Sequence, residues 1–98
     1  MKLGIVRGKV VSTIKDAQIE GNVIRVVELI NEKGESKGKF EIAADTVGAR
    51  EGDWVITVKS SSARMTKLTH KRPIDNAIVG IIDTITCKGE EIYNSKRR

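Results

Sequence analysis

The sequence predicts an all-β fold: a small five-stranded, OB-like barrel with room for no more than one or two short helical turns. Three observations predict it. Five segments that are rich in Val and Ile or alternate between apolar and polar residues are separated by Gly, Asp and Asn turn signals. Glycines interrupt the first of these segments, where a small barrel needs its strands to bend. No segment carries a sustained helical periodicity.

The first strand is KLGIVRGKVVST (2–13), with Gly4 and Gly8 on the face of Val6 and Val10 if the strand is regular. The second, VIRVVELI (23–30), is apolar on both faces. A strand covered on both sides in so small a chain implies a neighbouring chain. NEKGESKG (31–38) reads as a hairpin loop. KFEIAA (39–44) alternates, with Phe40, Ile42 and Ala44 on one face. DTVGAREGD (45–53) is a loop or brief helical turn, and the turn pair Gly52-Asp53 leads into the strand WVITVK (54–59). Residues 63–73 are irregular or one short helix ended by Pro73. AIVGIIDTITC (77–87) reads as one last long strand, followed by a turn and a loose basic tail. The expected organisation is a single domain over residues 1–88 and a short tail over 89–98.

A chain of 98 residues buries only roughly 60–65% of its unfolded surface, so assembly with other chains would help it. No apolar run approaches a membrane span. Arg7 and Lys9 break any secretory leader pattern, and Cys87 is the only cysteine. These features lead us to expect a cytoplasmic protein with no membrane partner and no disulfide. The charge is basic, 18 Lys plus Arg against 13 Asp plus Glu. It is concentrated between Lys59 and Arg72, where no acid occurs. Such a run is either a solvated face or a surface for anions.

Little in the sequence resembles catalytic machinery. Ser61, the single histidine His70 and an aspartate could make a triad on paper, but no nucleophile elbow surrounds any serine. The triplet Ser60, Ser61, Ser62 lacks the glycine frame of a phosphate loop. Asp45, Asp75 and Asp83 fit turn and cap roles better than metal ligation, because no metal-ligand spacing links them. Cys87 follows Val79, Ile81 and Ile85 on one face of the expected last strand, the pattern of a buried structural thiol. Trp54, at the start of a strand, reads as a core or interface anchor. Neither a catalytic group, a cofactor nor a metal is expected. An OB-type barrel with a basic surface does raise single-stranded nucleic-acid binding as an alternative. Such sites stack bases on aromatics, and the chain has only Phe40, Trp54 and Tyr93.

Several blocks, taken in order, are more specific. MKLGIVRGKVVSTIKD, AADTVGAREGDWVITVKSSSAR and RPIDNAIVGIID resemble the EutN/CcmL family, the vertex proteins of bacterial microcompartments. The matching positions are Leu3-Gly4, Gly8 to Thr13, Asp45 to Ala49, Gly52 to Val55, Ser61 to Arg64 and Pro73 to Asp83. Two positions depart from the pattern: Arg50 and Ser60 stand where the family usually has glycine.

The resemblance implies a homopentamer that closes the five-fold corners of a polyhedral shell. It would sit in the bacterial cytoplasm beside hexameric shell proteins and bind no specific nucleic acid. It also implies that Ser60, Ser61, Ser62 and Arg64 line a subunit interface or pore, while Arg64 bracing its own barrel remains open. Asp75 is expected to cap the turn before the last strand, with an interface role open. Lys67, Lys71 and Arg72 are expected to face the hexamers.

Overall fold

A computed structural model describes residues 1–11, 23–59 and 76–97. Seven strands run in chain order: β1 Lys2–Val10, β2 Val23–Ile30, β3 Ser36–Asp45, β4 Trp54–Lys59, β5 Asn76–Ile81, β6 Thr84–Cys87 and β7 Glu90–Asn94. A short 3-10 turn, Ser95–Arg97, follows. The first five strands close a barrel in the order β1-β2-β3-β5-β4, and β6 and β7 form a separate two-stranded sheet.

All barrel neighbours are antiparallel except β3 and β5, which run parallel. Side chains of a strand alternate between faces, and the inward row is filled by Val6, Val27, Ala43, Val55 and Ile78, with Ala49 from the following loop. Lys2 continues the inward row of β1 and Glu41 that of β3. They form an ion pair at one mouth of the barrel.

β1 bends where Gly8, not Arg7, takes the partner position after Val6, so Arg7 is a bulge. Gly4 serves another purpose. A Cβ there would run into the Val27 side chain and stand 3.0 Å from the Glu28 carbonyl oxygen. Its missing side chain is what lets β1 and β2 approach. At Gly8 the nearest atom would be 4.0 Å away.

A second apolar layer lies outside the barrel. Trp54 pairs with Ile5 across β1 and β4, and the Tyr93 ring of β7 stacks on Trp54 with centroids 3.8 Å apart. The β2–β3 turn closes the same pocket: Gly34 (φ +86°) sits against the Trp54 ring, 3.1 Å from its Cζ2 for a built Cβ. The turn is set by Asn31, whose Oδ1 accepts from the N–H groups of Lys33 and Glu35.

The structure differs from the sequence reading in four places. Residues 36–38, read as part of the hairpin loop, already belong to β3. The last long strand is two strands, because the chain turns at Ile82–Asp83 and β6 leaves the barrel to pair with β7. Residues 90–94, read as loose tail, are β7, because Tyr93 has Trp54 to bury against. Cys87 therefore shares no strand with Val79 and Ile81. It is half-buried on the hairpin and not a core thiol.

Substituting Gly4→Ala is expected to destabilise the chain by about 1–3 kcal/mol, the usual cost of overpacking, while Gly8→Ala stays near neutral. Denaturant midpoints of the two variants measured side by side test this.

Candidate assembly surface

β3 orients the surface. It buries the small Ala43 and leaves its large apolar residues outside, Phe40 at 60% and Ile42 at 52% exposed. Across the β2–β3 ladder Ile42 pairs with the half-buried Val26, and Phe40 pairs with Glu28. Glu28 is held by two neighbours: its carboxylate accepts from the Arg7 Nε at 2.7 Å and bonds the Ser36 hydroxyl. The Ser36 bond first, then Arg7, pulls its pKa below the ordinary value of 4.5.

A second exposed group lies beyond the β3–β5 junction: Val47 at 38%, Val79 at 37% and Ile81 at 40%. The loop that carries Val47 is built by Asp45. Its Oδ1 accepts from the N–H groups of Val47 and Gly48, each at 3.0 Å. Its Oδ2 lies 3.5 Å from the Arg25 Nε. Arg25 also donates from Nη2 to the Ala49 carbonyl at 2.7 Å. Thr46 donates its hydroxyl proton to the Ile78 carbonyl at 2.6 Å, tying the loop to β5. Asp45 thus has the turn role that its sequence context indicates. Arg50 does not adopt a positive φ, so the loop accepts it in place of glycine. Its N–H donates to Asp53 Oδ2 at 2.8 Å.

Every site residue predicted from sequence lies outside the described residues: Ser60, Ser61, Ser62, Arg64, Asp75, Lys67, Lys71 and Arg72 all fall within 60–75. Their anchors are defined. Lys59 and Asn76 are register partners, so the segment leaves and rejoins the barrel at one point. Among the described residues, no three His, Cys, Asp or Glu side chains converge as a metal site. The outward apolar groups and the Arg25–Asp45 clamp were missed in the sequence. The alternation of Phe40 and Ile42 was visible, but its direction was not.

This geometry defines a barrel built to present surfaces. The chain matches the family profile described as ethanolamine utilisation protein EutN/carboxysome over residues 1–83. It is 36% identical over 98% of its length to the carboxysome shell vertex protein CcmL of Synechococcus elongatus, covering 97% of that protein. Among solved structures it matches Gloeobacter violaceus CcmL with a TM-score of 0.87 and 38% identity, covering 98% of this chain and 99% of that one. It matches the GrpN pentameric microcompartment shell protein of Rhodospirillum rubrum with a TM-score of 0.77 and 42% identity, covering 89% and 99%. The chain belongs to the EutN/CcmL family.

The lowered pKa of Glu28 has a testable consequence. A carboxylate with a depressed folded-state pKa stabilises the fold above its ordinary pKa and loses that contribution as pH falls through the folded value. The stability difference between wild type and Glu28→Gln is therefore expected to be present at neutral pH and to shrink in acid as the carboxylate is protonated. Thermal denaturation of both proteins across that range checks it; a constant difference would contradict it.

Proposed function

We propose that this protein is a structural shell protein. It forms pentameric vertices that close the polyhedral shell of a microcompartment in the bacterial cytoplasm, and it carries no reaction. The observation that carries this reading is the similarity, in sequence and fold, to a pentameric microcompartment shell protein over most of the chain and to carboxysome vertex proteins over nearly all of it. The physical logic is geometric. A sheet of hexagonal tiles is flat, and closing it into a polyhedron requires five-fold points.

The surface chemistry fits this reading better than the single-strand-binding alternative. Base stacking requires exposed aromatics. Two of the three aromatics in the chain, Trp54 and Tyr93, are stacked on each other. That leaves Phe40, alone as an exposed aromatic on the described surface, with Ile42 next on its face and Glu28 opposite it. Exposed apolar residues gathered on one sheet surface are a feature of sites that contact other proteins.

Within this reading, Ser60, Ser61, Ser62 and Arg64 contribute to the interface or pore, with Asp75 beside them. The serine hydroxyls would satisfy backbone groups that a turn leaves unpaired. The guanidinium of Arg64 would hold a neighbouring carboxylate or carbonyls in its fork. Lys67, Lys71 and Arg72 face hexameric shell proteins at the rim of the vertex.

Light scattering is expected to give five times the chain mass; a stable monomer, dimer or hexamer would overturn the pentameric reading. Arg64→Ala is expected to weaken the ring by about 2–5 kcal/mol, if the guanidinium is paired and buried between subunits. The ring would then dissociate on dilution where the wild type does not. Replacing Lys67, Lys71 and Arg72 together is expected to leave the ring intact and to impair shell closure, as seen by electron microscopy. Any oligonucleotide binding by the wild type is expected to vanish at moderate salt. Tight, salt-resistant binding would restore the alternative.

A further inference from the structure

We infer that neighbouring subunits join head to tail through two separate apolar surfaces, Val26, Phe40 and Ile42 of one copy against Val47, Val79 and Ile81 of the next. The inference rests on the pentameric reading and identifies its surfaces. A ring of five has no two-fold axis relating adjacent members within the ring. Each contact must therefore be heterologous, with two different patches on every chain. The patches must not overlap, and both must be held rigidly enough to set one rotation angle.

The barrel meets these conditions at its β3–β5 junction. Among the described residues the two strands pair only at Ala44–Ala77 and Asp45–Ile78. Because they run parallel, β3 trails behind this junction while β5 runs on ahead of it. At about 3.3 Å per residue, Phe40 lies roughly 13 Å behind Ala44 and Ile81 about 10 Å ahead of Ile78. The first patch is thus on one side of the junction and the second on the other.

Both patches are rigid. The first stands on the β2–β3 ladder, which is paired without interruption from Val23–Asp45 to Glu28–Phe40 and shifts register only beyond Phe40. The second stands on β5, where Val79 is the bulge residue of the β4–β5 ladder and Ile81 lies opposite Val55 at the end of the strand, and on the loop held by Asp45, Thr46 and Arg25. Both also border strand edges that are unpaired among the described residues, at 36–43 of β3 and 79–81 of β5. An exposed edge bearing large apolar side chains is ordinarily covered or charged. Lys37 and Lys39 charge the start of the β3 edge, while Phe40 and Ile42 leave the rest apolar.

The test uses the full chain. Ile42→Asp and Ile81→Asp each break one patch at an exposed position, so both variants are expected to keep the wild-type circular dichroism spectrum. Each alone is expected to shift from pentamer to smaller species at micromolar concentration. A second measurement removes Cys87 as Cys87→Ser and adds Ile42→Cys with Val79→Cys in one chain. A short bis-maleimide should then give a covalent ladder ending at the pentamer. Either cysteine alone should give no cross-linked dimer, because the two sites meet each other and not themselves. If both aspartate variants remain pentameric, or the single-cysteine chains cross-link as dimers, the inference is overturned with the pentamer intact. If the wild type is no pentamer, the underlying reading fails first.

Discussion

The structure depends on a short parallel junction. β3 and β5 close the barrel over only two register pairs, Ala44–Ala77 and Asp45–Ile78. Everything nearby is shaped to make this closure hold. Alanines at 43, 44 and 77 keep the walls close, all of them buried. Asp45 accepts from two loop amides on Oδ1, and its Oδ2 lies within ion-pair distance of Arg25. Thr46 adds a hydrogen bond to the β5 backbone just past the last pair. A longer junction would have paired the edges of both strands within the chain. The short one leaves apolar surface on either side of it, as a ring subunit requires.

The second constraint is the use of aromatic area. Trp54 is too large for a barrel interior filled by Val, Ala and Ile, and it lies outside β4 under Tyr93. The C-terminal hairpin is thereby held to the barrel, and the β2–β3 turn closes around the same ring through Gly34. The stack stabilises three separate parts of the chain with one contact. It also engages two of the three aromatics that a nucleic-acid site could use for stacking.

Charge on the described surface is arranged to support the fold locally. Lys2 with Glu41 and Arg7 with Glu28 are partly exposed pairs, of a kind that contributes little to stability on its own. Their placement matters more than their energy. The first sits at a barrel mouth, where inward-facing positions must turn polar as water becomes accessible. The second uses the side chain freed by the Arg7 bulge to hold Glu28 beside Phe40. Arg25 and Asp45 are more buried, and they fix backbone geometry in the loop after β3.

The sequence by itself determined the class of fold, the five barrel segments and the family. Hydrophobic alternation and turn residues are local signals, and β2 and β4 fall at the residues that those signals mark. The order of the EutN/CcmL blocks likewise needs no coordinates to be read. Only the tertiary structure decided which way β3 faces. Alternation gives two faces without saying which is covered, and here small Ala43 went inward while Phe40 and Ile42 went out. It also decided that the chain breaks at Ile82–Asp83 and that Tyr93 belongs to a strand. A run such as 77–87 is uniformly β-prone, and what splits it is the distant Trp54, against which β7 packs. The predicted interface and rim residues in 60–75 lie outside the described residues. The surfaces assigned to assembly came instead from the short closure of the barrel, a contact between strands about 30 positions apart that no local pattern encodes.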